Sequence, residues 1–238
     1  MPTQLSVGMI QSSYLPWRGY FDFINSVDLF IIYDDVQYTR RDWRNRNQIK
    51  TATGKTWLTV PVNFSRNAPT LIQDTEICYQ NNWPREHIGR ITSSYRRAPH
   101  FEQYCDGLFK ILNQRHRTIS ELNYATISWT MSVLEIKTPV RWSMEFKPEG
   151  IKTDRIIDIL KKIKATDYVV GPAARDYIET DKFRTSNIGL EFKSYDYPEY
   201  PQGQGPFDPC LSIIDLIFNC GPHSKKYLKS QTINEKTV

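Results

Sequence analysis

Residues 8–49, GMIQSSYLPWRGYFDFINSVDLFIIYDDVQYTRRDWRNRNQI, decide the fold. The block opens inside an apolar segment, Leu5–Gln11, and contains a second apolar run, Asp28–Tyr33 (DLFIIY), that does not alternate with polar residues. Strands buried on both faces read this way, because parallel sheets carry helices on both sides. Between the two runs Arg18–Asn25 reads as a short helix, so the block is a βαβ unit, whose crossover is expected to be right-handed. Loops that leave the ends of neighbouring parallel strands form the ligand crevice of an open α/β sheet. Here those loops are the one that starts at Gln11 and the one that starts at Asp34-Asp35.

Working outward, Asn47–Thr51 and Thr56–Val62 read as two strands joined by an ATGK turn, and Leu71–Tyr79 as another strand. Helices are expected over Pro84–Arg97, Phe101–Arg115 and Ile119–Ile136, the last opened by a Thr118-x-x-Glu121 capping box. In that third helix Leu122, Ala125, Trp129, Val133 and Ile136 recur at helical spacing and are expected to face the core. Alternation then resumes: strand Val140–Trp142, helix Asp154–Lys164, strand Tyr168–Val170, strand Gly189–Tyr195, a Pro/Gly-rich loop, helix Leu211–Phe218 and a closing GPHSKKYL helix. The expectation is one α/β domain over residues 1–229, with a parallel, Rossmann-like sheet and a helical insertion at about 84–136. A disordered polar tail is expected over 230–238.

The chain of 238 residues carries a formal net charge of +5. Between Val36 and Lys50 five basic residues stand against one acid, so four of those five charges sit in one loop. That concentration points to a local anion site, not to the extended basic footprint that nucleic acids require. No apolar run is long enough for a membrane span, and no basic-then-apolar leader opens the chain, so a cytoplasmic location is expected. The four scattered cysteines and four histidines show no metal-ligand spacing. Gly54-Lys55-Thr56 lacks the upstream glycine of a phosphate loop, and no serine or cysteine stands in a nucleophile elbow.

The candidate site residues follow from the two loops. Arg40, Arg41, Arg44 and Arg46 offer guanidinium forks for phosphate oxygens, interleaved with Gln37, Tyr38, Trp43, Asn45 and Asn47 for stacking and hydrogen bonding. Asp34 and Asp35 are candidates to hold Mg²⁺ or to accept a proton from an amine. Gln11, Ser12, Tyr14, Trp17, Gly19 and Tyr20 line the first loop, where a glycine lets a helix N-terminus approach a phosphate closely. Gly171 after a strand, with Ser212 and Asp215 on the late helix, would complete the wall.

The segment Trp17-Arg18-Gly19-Tyr20 resembles in spacing the His-x-Gly-His signature of HIGH-type nucleotidyltransferases, with Trp17 and Tyr20 at the histidine positions. More specifically, the 8–49 block, together with TWLTVPV, GPAARDYI and FDPCLSIIDLIFNCGP, resembles the WbqC-like family of bacteria over about residues 5–228. That resemblance implies a role in O-antigen or related lipopolysaccharide and surface-glycan biosynthesis. It implies an aminoacyl transferase, glycine transferase-like, that forms an amide on a nucleotide-linked amino sugar. The partners would be that sugar nucleotide and an amino acid or activated acyl donor, with ATP and Mg²⁺ as candidate cofactors. In that setting Tyr20, Asp34 and Asp35 would be catalytic. A nucleotidyltransferase-like nucleotide-binding protein and a non-catalytic nucleic-acid-binding module are the alternatives.

Overall fold

The computed structural model describes residues 4–203 and 205–237. The elements run β1 (Ser6–Ile10), α1 (Arg18–Asn25), β2 (Leu29–Ile32), β3 (Arg46–Thr51), β4 (Gly54–Thr59), α2 (Trp83–Tyr95), α3 (Phe101–Asn113) and α4 (Ile119–Val133). They continue with β5 (Val140–Trp142), α5 (Lys152–Lys162), β6 (Asp167–Val170), α6 (Thr180–Thr185), β7 (Gly189–Phe192), α7 (Ile213–Cys220) and β8 (Glu235–Lys236).

Six strands form one sheet in the order β5-β2-β1-β6-β7-β8, parallel except for β8, and β3-β4 is a separate antiparallel hairpin. The chain leaves β1 toward β2 and later returns to pair β6 on the other side of β1 (Val7↔Leu29 and Val7↔Tyr168). The strand order therefore reverses between β1 and β6, the topological switch point of a doubly wound, Rossmann-like α/β sheet.

Side-chain alternation assigns the two faces. Val7, Met9, Ile31, Tyr168, Val170, Leu190 and Phe192 pack with α5 and α6 in one cluster. Phe30, Ile32 and Val169 face the other way, into the cluster that holds α1, α2, α3, α4 and α7. Gly8 belongs to that second face because a Cβ there would lie 2.9 Å from the Phe23 ring, which rests directly on the strand.

Three expectations change. Leu71–Tyr79 is not a strand: a 3-10 turn spans Ile72–Asp74, and Leu71, Glu76 and Ile77 bridge singly to three different partners, so no ladder forms. In α4 Leu122 is buried and Ile136 beyond it too, but Ala125, Trp129 and Val133 are only half-buried. Polar Ser120, Asn123, Thr126 and Thr130 are buried instead; Ser120 meets Asp34, and Asn123 meets Ser12 of the β1–α1 loop and the Arg44 carbonyl. The tail, expected to be disordered, adds β8 to the edge of β7, held by Asn234 hydrogen bonds to Ser194 and Glu191 and by the Arg175–Glu235 pair at 2.7 Å. Among the described residues no helix is long and apolar enough to cross a membrane.

Candidate functional site

The loop from β1 to α1 is fixed at each step by side chains from elsewhere. Asp34, at the end of β2 and fully buried, accepts from the Ser12 amide (2.8 Å), the Ser12 hydroxyl (2.7 Å) and the Ser120 hydroxyl. Burial pushes its carboxyl above the ordinary carboxylate range, against the opposing effect of those donors and Arg44. Asn123 Nδ2 donates to Ser12 Oγ at 3.0 Å and to the Arg44 carbonyl at 2.9 Å, and Arg44 Nη1 donates to the Ser12 carbonyl at 2.9 Å. Leu15 adopts a left-handed φ of 44°, which costs a non-glycine residue energy. Its carbonyl is held by Asn47 Nδ2 (2.7 Å) and Ser212 Oγ (2.8 Å). Tyr14 is buried and turned away from solvent, its hydroxyl 2.9 Å from His87 Nδ1.

This loop forms one wall of a cavity of about 330 Å³ that starts at Ile10, the last residue of β1. Trp17, Tyr20, Trp43 and Tyr195 supply aromatic walls, and Ser13, Arg44, Asn47 and Cys210 the polar groups. Trp17 meets Tyr195 edge-on at 5.2 Å, and Gly171, which follows β6, lies against the Tyr195 hydroxyl, 3.5 Å from where its Cβ would be. The crevice thus opens at the carboxyl ends of β1 and β6, at the switch point. The 195–200 segment is drawn over it by Arg18, whose buried guanidinium donates to the Pro198 carbonyl at 2.7 Å and packs on Tyr197 and Tyr200.

The arginine loop divides between two cavities. Arg44 turns inward to the crevice. Arg41 and Arg46, with Arg40, line a second cavity of about 340 Å³ together with Tyr38, Asn45 and Phe64. The Arg46 guanidinium lies 4.2 Å over Trp57, and Trp57 tilts against Trp43 at 5.7 Å, so an aromatic ridge runs between the two sites.

Several expected residues have different surroundings. Asp35 accepts from Arg155 Nη2 and Ser143 Oγ, each at 2.5 Å, tying the end of β2 to α5, while Asp34 faces α4. With their oxygens engaged in different directions, the two carboxylates do not form a Mg²⁺ site. Among the described residues no group of three or more His, Cys, Asp or Glu is placed to hold a metal ion. Gly19 does not open the α1 N-terminus to a phosphate. The Trp17 indole covers it, and a Cβ would lie 2.6 Å from Trp17 Cε2.

Tyr20 does line the crevice, its hydroxyl donating to the Gln11 carbonyl at 3.3 Å, and burial raises its pKa. Ser212 pairs with Trp17 and supports the wall from behind. Asp215 belongs to another cavity of about 630 Å³ with Lys50 and Arg96, and accepts from the Tyr95 (2.9 Å) and Tyr200 (2.8 Å) hydroxyls. Gln37 is exposed and pairs through its backbone with Leu71.

Sequence reasoning missed Ser120, Asn123, His87, Tyr195 and Cys210. The polar stripe Ser120, Asn123, Thr126, Thr130 on a capped helix was a readable signal; the others depend on contacts distant in sequence.

The profile of the WbqC-like protein family matches residues 11–227, which include the lining residues of the crevice other than Ile10 and all those of the arginine-lined cavity. A Mycobacterium tuberculosis (strain ATCC 25618 / H37Rv) protein, given only as "Uncharacterized protein Rv1507c", is 41% identical over 225 residues, 94% of this chain and 97% of its own length. No solved structure matches the chain significantly. By the extent of both matches, the chain belongs to the WbqC-like protein family.

Proposed function

We propose that this protein is an acyl or aminoacyl transferase of bacterial surface-polysaccharide biosynthesis, forming an amide on a nucleotide-linked amino sugar. The observation that carries the reading is the pairing of an aromatic-walled crevice at the switch point with a neighbouring arginine-lined cavity on the same loop. Aromatic faces suit the apolar face of a sugar ring, and guanidinium groups suit a diphosphate. Family membership supplies the surface-glycan context.

Amide formation joins the amine nitrogen to an acyl carbonyl, expels the leaving group and releases the amine proton. Among the described residues no carboxylate or histidine lines the crevice, so its own contribution is to position the amine and to donate hydrogen bonds. The Tyr20 hydroxyl is committed to the Gln11 carbonyl, while burial keeps the Tyr195 phenol protonated, and the Arg44 side chain also lines the crevice. Such donors stabilise the oxyanion that develops on the acyl oxygen. Asp34 acts one step back, by holding Ser12, whose carbonyl receives Arg44.

The testing experiment incubates the protein with an amino-sugar nucleotide and a set of acyl donors: amino acids with ATP, and acyl thioesters. Mass spectrometry should show the sugar nucleotide gaining one acyl residue in amide linkage. Pyrophosphate release from nucleoside triphosphate and sugar phosphate, with no acyl donor required, would instead identify a nucleotidyltransferase.

A further inference from the structure

The arginine-lined cavity contains an unmet demand of its own. Asn45 is 8% exposed, and its Nδ2 is committed to the Val60 carbonyl at 2.8 Å, which fixes the orientation of the amide. Asn45 is one of the residues that line this cavity, and its Oδ1 is buried with no hydrogen-bond donor. A buried acceptor left unpaired costs about 1–3 kcal/mol, so a native protein keeps one where something else supplies the donor. Arg46, another residue of the lining, donates through Nη2 to the Arg41 carbonyl, and its Nε is likewise buried without an acceptor. Among the described residues Arg40, Arg41 and Arg46 make no ion pair, and no carboxylate lines the cavity. The site therefore asks for two things at once: anionic oxygens for the arginines and one O–H or N–H for Asn45.

Inorganic phosphate or pyrophosphate at neutral pH answers the first demand and can meet the second only with a P–O–H of its own, and it leaves the Tyr38 and Phe64 rings uncovered. A nucleoside diphosphate answers both, because its ribose hydroxyls or base N–H groups lie beside its phosphates, and the Tyr38 and Phe64 rings add apolar surface. We propose that this cavity, not the crevice, takes the nucleoside-diphosphate end of the substrate, with its phosphates on Arg40, Arg41 and Arg46 and a nucleoside donor on Asn45 Oδ1. This assignment rests on the reading of the substrate as a sugar nucleotide. It leaves the crevice beyond the Trp43–Trp57 ridge for the reacting end.

Calorimetric titration of the full chain tests this without turnover. The probes are UDP, dTDP, CDP, GDP, ADP and inorganic pyrophosphate, against wild type and the exposed-side-chain variants Arg40→Ala and Arg41→Ala. At least one nucleoside diphosphate should bind tenfold or more tightly than pyrophosphate, and each variant should weaken it about tenfold with the melting temperature unchanged. Pyrophosphate binding as tightly as every nucleotide, or nucleotide affinity indifferent to both variants, overturns the assignment. A protein that binds a nucleoside diphosphate in this way but forms no amide would count against the transferase reading alone.

Discussion

Asp34→Asn and Asp34→Ala should have opposite consequences. Alanine removes the acceptor for the Ser12 amide, the Ser12 hydroxyl and the Ser120 hydroxyl at once, in a fully buried position. A buried donor left unsatisfied costs about 1–3 kcal/mol. The two hydroxyls can turn toward other partners, whereas the amide cannot, so the total should be roughly 3 kcal/mol. For a chain of this size that is a fall of roughly 10 °C in melting temperature. Asparagine keeps an oxygen for the Ser12 amide and offers its NH₂ to the two hydroxyls, which can rotate to accept.

The pH dependence follows from the raised carboxyl pKa. A carboxyl that holds its proton more tightly when folded contributes most below its unfolded pKa, and loses that contribution as pH rises through its folded value. The melting temperature of Asp34→Asn relative to wild type should therefore climb from about pH 4 upward and level off once the wild-type carboxyl has ionised. Differential scanning calorimetry between pH 4 and pH 8 reads this directly. If Asp34→Asn were as damaging as Asp34→Ala at pH 8 and least damaging near pH 4, the ionised carboxylate would be a net source of stability, and the reasoning would fail.

Other perturbations have equally specific outcomes. His87 is buried against Tyr14 and Trp83, and burial lowers its pKa from 6.5 to about 4, so acid must charge it in place. Stability should be complete above pH 6.5 and fall by up to about 3 kcal/mol as pH drops toward 4, a loss that His87→Gln should reduce in acid-unfolding curves. Gly19→Ala should drive the Trp17 ring into the crevice and cost about 1–3 kcal/mol, with a shift in tryptophan fluorescence; unchanged stability would contradict the packing seen there. Trp43 is 45% exposed, so Trp43→Ala should cost no more than about 1.5 kcal/mol of stability yet weaken sugar-nucleotide binding about tenfold in the same calorimeter. Equal binding by this variant would remove Trp43 from the crevice wall.

Most of the scaffold could be read from residues 8–49 because local patterns dictate it. Two unbroken apolar runs define β1 and β2, and the helix between them begins and ends where expected, at Arg18 and Asn25. The capping box of α4 is present as read. Periodicity failed on the face of that helix, since the neighbours of Ser120 and Asn123 are polar groups of a loop more than seventy residues earlier. The same limit applied to the arginine loop: charge density marked the loop as the most basic stretch of the chain, but only the fold shows that Arg44 and Arg46 line different cavities. Asp34 and Asp35 read as one carboxylate pair, whereas adjacent residues at a strand end project to opposite sides. Their partners, Ser120 and Arg155, come from different helices.

A crystal structure of the protein with an amino-sugar nucleotide tests the central claim most directly. The account predicts the sugar amine inside the crevice among Trp17, Trp43 and Tyr195, with the diphosphate on Arg40, Arg41 and Arg46. A sugar amine pointing to solvent, or the whole ligand lodged in the cavity beside Asp215, would contradict it.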